Sequence, residues 1–465
     1  MTNATMTFFD QARQALHLPQ EALTQFDVQG TAQWASVFPV TDFAVAAVGA
    51  AGMALAELIK VQFGQEPRVV VDRKLASLWF SGSIRPIGWR MPAMWDSIAG
   101  DYKTQDGWIR LHTNAPHHKA AVLKVLQCAD DREAVAKEVA KWPGEALETV
   151  IVEQKGCAAV MRSLAEWQAH PQGKAVAAEP LIAWSCAEAA FPYSTWQPEE
   201  KRPLAGLKVL DLTRVLAGPI ATRFLAGYGA EVLRLDPPEW DEPAVTPEVT
   251  LGKRCARLDI KTPAGRKIFE GLLGQADVLV HGYRPDALAR LGYGEAERRT
   301  INPGLIDVSL NAYGWTGPWA GRRGFDSLLQ MSSGIAHCGM QGVQSNRPTP
   351  LPVQALDHAT GYLMAAATLR ALVRRVTEQQ ASTARLSLAR VAHSLIKLPR
   401  ARVAAKDLEI GSDDLSPRVE KTPWGEAKRC KSPLTVGGLP LIWQRPASRL
   451  GAAEAKWEDS AMGSS

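Results

Sequence analysis

The sequence predicts an α/β protein, a parallel sheet with helices on both faces accompanied by a smaller α+β domain. Three observations lead there. Short apolar runs alternate with helix-like segments downstream of residue 204, a different pattern fills residues 88 to 170, and a stretch without periodicity separates the two. Strands that alternate with helices imply a parallel sheet, whose strand ends are the usual place for ligands.

The elements follow in order. KVLDL (208–212) is a short apolar run, AGP (217–219) interrupts it, an amphipathic stretch follows, and AEVLRLD (230–236) is a second run; together they predict strand, helix, strand. ADVLVHGY (276–283) and LIDVSLNAYG (305–314) predict further strands, separated by helices starting near Thr262-Pro263 and near Pro285-Asp286. Upstream, GDYKTQDGWIRLHTN (100–114) predicts a strand pair around a turn at Asp106-Gly107, and DREAVAKEVAKW (131–142) a helix. Prolines, aromatic residues and charges break every pattern in residues 180–204, which places a domain join near residue 200. The tail from residue 412, with TPWGEAKRCKSPLTVGGLPLIWQRP, is rich in Pro, Gly and Trp and is expected to pack as an extended cover. Residues 41–80 and 356–395 echo one another: each has an aspartate, an Ala-rich helix and an apolar run, VVVDRKLA and ARLSLARV, expected to be a strand. The few ungapped identities are mostly alanine, the strongest helix former, so chance similarity is an equal alternative.

Composition narrows the function. With 465 residues, 46% hydrophobic and 22% charged, the chain can bury a large core. By inspection no apolar run approaches the roughly 20 residues that span a bilayer, and the N-terminal stretch lacks a secretory signal pattern, so a cytoplasmic protein without a membrane partner is expected. Six dispersed cysteines without a Cys-x-x-Cys pair argue against a metal site and against a disulfide framework. A net charge of +5, not gathered into a block, gives no support for nucleic acid but suits a small anionic ligand.

GRRGFDSLLQMSSG (321–334) singles out Asp326. It precedes the apolar pair Leu328-Leu329, so its first reading is a helix cap, a carboxylate accepting from free N–H groups. Such a position also keeps a carboxylate ionised and suited to act as a nucleophile. His281, His337 and His358 lie in or beside the same motifs, where buried, hydrogen-bonded imidazoles are the commoner outcome; His117-His118 is expected at the surface.

Taken in order, LAGLKVLDLTRVLAGP, LDIKTPAGR, ADVLVHGYRPDALARLG, INPGLIDVSLNAYGWTGPWA and RRGFDSLLQ resemble the class III CoA-transferase family, also called CaiB/BaiF, over about residues 203–375. The resemblance implies a Rossmann-like large domain, a smaller domain, an interlocked homodimer, and transfer of CoA between an acyl-CoA and a carboxylic acid, with no tightly bound cofactor. It places the nucleophile at Asp326, after Gly324-Phe325. Its CoA contacts fall on Val215, Leu216, Ala217, Leu258, Lys261, Gly282, Tyr283, Arg284 and Arg290. Where members often carry a basic residue after the second strand this chain has Asp236-Pro237-Pro238, so Arg234, Lys253 or Arg254 is expected to compensate.

The order of segments departs from the family. The implied layout is a helix-strand unit (1–84) resembling the second half of the family's large domain, a small α+β domain (85–180), a linker (181–203), the Rossmann-like domain (204–411) and a C-terminal cover (412–465). The small-domain half is thus placed in front, with one helix-strand unit present twice. No Gly-rich closing loop is visible in residues 85–180. Two alternatives accompany the transferase: an acyl-CoA racemase or epimerase, weakened by Phe325 where such enzymes often have histidine, and a catalytically inactive CoA-transferase-like subunit.

Overall fold

The computed structural model describes residues 1–186, 196–284, 286–401, 403 and 408–458; residues 187–195 of the expected linker, Pro285, residues 402 and 404–407, and residues 459–465 lie outside them. The chain opens with α1 (Asn3–Ala15), β1 (Phe26–Gln29) and the long helix α2 (Val40–Phe63), followed by β2 (Val69–Asp72), α3 (Arg73–Trp79) and β3 (Ile84–Pro86). The segment VVVDRKLA is therefore only half strand. The Asp72 carboxylate accepts the Leu75 N–H at 2.8 Å, a cap that ends β2 and starts α3. The expectation about apolar runs also needs correction. With 24 residues and a mean hydropathy of 1.7, α2 is long and apolar enough to cross a bilayer. The structure packs it instead against α1 and a second long helix, burying nearly its whole length. Apolar on all sides, it is a core helix.

The smaller domain follows, with β4 (Gly100–Lys103), β5 (Trp108–Leu111), α4 (Pro116–Leu126), α5 (Arg132–Val139), α6 (Gly144–Glu153), β6 (Ala158–Val160), α7 (Leu164–Ala169) and α8 (Pro171–Ala178). β4, β5 and β6 form an antiparallel sheet whose buried Ile109 and Leu111 pack against Val122, Val135 and Ile151. The stretch expected to be a linker supplies a strand, β7 (Ala183–Cys186). Its Trp184 donates to the Ala15 carbonyl at 2.8 Å, which fastens the strand to α1.

The main sheet is built from β8 (Lys208–Leu212), α9 (Ala217–Gly227), β9 (Glu231–Asp236), α10 (Thr246–Val249), β10 (Arg254–Arg257), α11 (Pro263–Gln275), β11 (Val278–His281), α12 (Ala287–Arg290), α13 (Glu295–Ile301) and β12 (Ile306–Asn311). Next come α14 (Asp326–Ser332), α15 (Ile335–Gly342), α16 (Ala355–Glu378), β13 (Ser382–Ser387) and α17 (Leu388–Lys397). The sheet order is β10-β9-β8-β11-β12-β13-β7, parallel except for β7. The six parallel strands thus follow the doubly wound order in which the chain reverses direction between β8 and β11, and the loops leaving those two strands open a crevice there. Thr262 caps α11 with Pro263 in its first turn, as their spacing predicts. ARLSLARV, like its echo, changes from strand to helix, at Ser387, which caps α17.

The two echoed helices share more than composition. α2 and α16 each span 24 residues and pack against one another, and Asp42 and Asp357 are each the third residue. Gly361 lets α16 approach α9: a Cβ there would lie 2.4 Å from the Ala217 carbonyl oxygen.

The tail forms β14 (Leu415–Thr422), β15 (Gly425–Cys430), β16 (Leu434–Val436) and β17 (Leu439–Pro440). β15 pairs with β3 and β16 with β2, so the last segment is stitched to the first. Glu248 locks this junction. Its buried carboxylate accepts from Ser83 and Ile84 N–H groups at 3.0 Å and pairs with Arg223 and Arg429. Burial pushes this carboxyl up, but the two guanidinium groups outweigh it and hold it down at about 2.

Candidate active site

Asp326 opens α14 and is only 1% exposed. It is not the cap expected for it: Phe325 holds that position, and no side-chain cap bond forms at this helix start. One oxygen accepts from the Gln330 amide at 2.5 Å and the other from the Asp357 backbone N–H at 2.9 Å. Gln330 is fixed in turn by the Leu351 N–H, donated to its carbonyl oxygen at 2.7 Å. The nucleophile candidate is thus aimed by α16, through the position that the sequence echo had marked.

Electrostatics are tuned around this carboxyl. Burial pushes Asp326 up to about 6, against the lowering effects of Gln330, the Asp357 and Leu356 N–H groups and Arg110. Asp357, buried beside it, is driven well above the ordinary carboxyl range, first by burial and then by the neighbouring Asp326 charge. The pair therefore holds a proton at neutral pH while Asp326 is mostly ionised.

Two cavities meet at this point. One, of about 360 Å³, lies at the crevice between β8 and β11 and is lined by Val215, Leu216, Ala217, Gly282, Tyr283 and Arg284, six of the expected CoA contacts, together with Phe325 and Asp357. Val215 has φ of +65°, a strained conformation for a β-branched residue, held by its N–H to Glu242 at 2.9 Å. The second cavity, of about 650 Å³, contains Asp326 and shares Arg214, Val215, Leu216, Trp240, Phe325 and Asp357 with the first.

The other three expected contacts line neither cavity. Leu258 packs against an apolar cluster under the sheet, Lys261 is exposed, and Arg290 is an exposed partner of Asp286. The cations expected to compensate after β9 are also committed elsewhere. Arg234 is fully buried between Asp236 and Glu242, Lys253 is paired with Asp211 at 2.9 Å, and Arg254 binds Glu231. Arg214, Arg284, Arg322 and Arg323 line the first cavity in their place. Arg322 is held by Glu148 at 2.8 Å, whereas no ion pair to Arg284 or Arg323 occurs among the described residues. Of these cations sequence reasoning found only Arg284; Arg214 and the Arg322-Arg323 pair sat inside quoted motifs, and only the fold turns them inward.

The small domain forms the opposite wall, through residues 93–96 and 112–117. His112 stacks on Phe325, with centroids 3.7 Å apart, and its Nδ1 lies 3.4 Å from the Ser327 hydroxyl. His118, expected at the surface, is buried edge-on to Phe325, and His117 lines both cavities. Burial pushes His112 and His118 down to about 3, so both rings are neutral. His281 pairs with Asp307 at 3.1 Å, the structural role expected for it, whereas His358 is buried and stacks on Phe80 with its Nδ1 lacking a hydrogen-bond partner among the described residues. The Arg162 N–H donates to the Met331 carbonyl at 3.0 Å, fixing β6 to α14.

Parts of the chain are similar to known proteins. Residues 204–411 match the model of CoA-transferase family III. This segment is therefore similar to that family. An acyl-CoA transferase of Gibberella moniliformis is 32% identical over 57% of this chain and 50% of its own length. The human succinyl-CoA:glutarate CoA-transferase is 36% identical over 37% of this chain and 42% of its own. The crystal structure of a CaiB/BaiF family protein from Brucella suis is 25% identical, with a TM-score of 0.36 over 48% of this chain and 65% of that one. The chain spans about half the length of the curated relatives it matches.

Two outcomes follow. The folded state binds the Asp326 proton more tightly than the unfolded chain, about 6 against 3.8, so this carboxyl costs stability increasingly as pH rises from about 4 to 6. Asp326→Asn, which keeps an acceptor for the Asp357 N–H, should raise Tm by a few degrees at pH 7.5 and lose that advantage near pH 4, measured by calorimetry. Arg284→Ala should weaken free CoA binding about 10- to 100-fold in titration calorimetry, the loss of a charge-assisted contact. Arg290→Ala should change it less than about five-fold, as an exposed pair does.

Proposed function

We propose that the chain is an acyl-CoA:carboxylate CoA-transferase acting through an aspartyl anhydride. The observation that carries this reading is Asp326 itself, a buried carboxylate held by two donors where the crevice cavity meets a second chamber. CoA would enter the crevice along Val215, Ala217, Gly282 and Tyr283, with Arg284 and Arg323 facing its phosphates, and would deliver its thioester to the chamber. The Asp326 carboxylate attacks the thioester carbonyl, the C–S bond breaks, and CoA leaves as thiolate from a mixed anhydride. The thiolate then attacks the aspartyl carbonyl and releases the first acid, leaving an aspartyl-CoA thioester. An incoming carboxylate attacks that thioester, and the thiolate regained takes the new acyl group from the second anhydride, restoring Asp326. Burial of Asp326 supports this sequence, because an anhydride open to bulk water would hydrolyse.

His112 favours a second reading, an acyl-CoA racemase, since an imidazole on the chamber wall beside a carboxylate can exchange a proton with carbon. Its pKa near 3 makes it a weak base for that task. Solvent deuterium appearing at the acyl α-carbon would revive the racemase.

A screen of acyl-CoA donors against carboxylic acids, followed by mass spectrometry, tests the transferase. Asp326→Ala and Asp326→Asn should each lose at least about 10³-fold in transfer rate, and wild-type activity should rise with pH through about 6 as Asp326 ionises. Full activity in either variant would refute the nucleophile.

A further inference from the structure

The chamber around Asp326 differs from the crevice in charge. The crevice cavity carries Arg214, Arg284, Arg322 and Arg323. Among the described residues lining the chamber, Arg214 is the one arginine or lysine, against Asp96, Glu239, Asp241 and Glu242 in addition to Asp326 and Asp357. Arg214 sits at the boundary of the two cavities with its guanidinium 4.3 Å from the Trp240 ring and 5.2 Å from Tyr283. Its planar faces are taken by aromatic rings while its buried Nε has no hydrogen-bond partner among the described residues, and it belongs equally to the crevice.

The cations behind the chamber wall are committed too. Lys119 is held by Asp96 and Asp130 at 2.9 and 2.6 Å, and Arg234 is fully buried between Asp236 and Glu242. His112 is neutral, and burial followed by nearby arginines lowers His117, which is therefore neutral as well at pH 7 and above. The rest of the wall combines the neutral polar Asn114, Ser327 and Gln354 with apolar and aromatic residues, among them Met94, Trp95, Trp240, Pro243, Val245 and Phe325. At about 650 Å³ the space suits a sizeable acyl group. An acyl group ending in a second carboxylate would have to shed its water facing Glu239 and Asp241, which no ion pair neutralises among the described residues, with Arg214, shared with the crevice, as the one cation of the lining.

We infer that the chamber selects acyl groups lacking a second carboxylate, apolar straight-chain, branched or aromatic monocarboxylic acyl groups, and disfavours dicarboxylic ones. This rests on the reading of Asp326 as the acyl-accepting group. The selecting residues are Glu239 and Asp241, with Trp95 and Trp240 providing the apolar contact; Asp96 and Glu242 are already paired with Lys119 and Arg234.

Butyryl-CoA and succinyl-CoA test it, since both acyl groups have four carbons and differ by one terminal carboxylate. Titration calorimetry on Asp326→Asn, which cannot form the anhydride, should give butyryl-CoA at least about ten-fold tighter binding, a difference of about 1.4 kcal/mol. Wild-type protein with butyrate or isovalerate as acceptor should show the same preference in kcat/KM. The double variant Glu239→Gln/Asp241→Asn should narrow the ratio at least about three-fold. Succinyl-CoA binding as tightly as butyryl-CoA, or more tightly, would overturn the proposal even if transfer depends on Asp326. The expected binding ratio without any transfer would uphold the chamber's selectivity and count against the anhydride reading, so the two failures are distinct.

Discussion

The packing of α2 against α16 is the contact on which the rest of this molecule depends. Both helices are buried over most of their length, one from the front of the chain and one from the Rossmann-like half. Burying such apolar surface contributes on the order of 25 cal/mol per Å² and makes the halves one body. It also fixes the start of α16, whose Asp357 N–H aims the Asp326 carboxylate. The equivalent residue of α2 went another way. Asp42 accepts from Thr5 at 2.8 Å and pairs with Arg73 at 2.8 Å; although burial alone would raise it, the Arg73 and threonine hydrogen bonds hold it below the ordinary range. Of two matching aspartates, one is neutralised in an ion pair and the other is kept protonated beside a nucleophile candidate.

Charges are treated differently inside and outside the site. At Glu248, Asp211 and Arg234 every buried charge meets an opposite one, which is the condition for burying it at tolerable free energy. At Asp326 and Asp357 two carboxyls share one buried space with no cation paired to either, which raises both above the ordinary carboxyl range and favours a proton on the pair. The surrounding sheet, the Glu248 junction and the small-domain wall hold that arrangement in place.

Much of this was legible in the sequence. The main strands of the sheet showed as apolar runs ended by Gly or Pro, Thr262-Pro263 announced a helix start, and the motif around Asp326 singled out the carboxyl that the fold buries at the chamber. The parts that were not legible depend on long-range placement. VVVDRKLA and ARLSLARV look like strands because their apolar residues continue past the break, and only the caps at Asp72 and Ser387 decide where each turns into a helix. β7 lies in a stretch of prolines and aromatics because its pairing comes from β13, about 200 residues away. The chamber wall at His112 and Trp95 carries no local signal, since neither residue gains meaning until the small domain docks on Phe325.

Direct detection of the covalent intermediate tests the central claim. The protein would be incubated with an acyl-CoA, quenched with hydroxylamine, digested and analysed by mass spectrometry. A hydroxamate is expected at Asp326 in the peptide spanning α14, formed only when acyl-CoA is present. Transfer activity that leaves Asp326 unlabelled, or that labels a different residue, would contradict it.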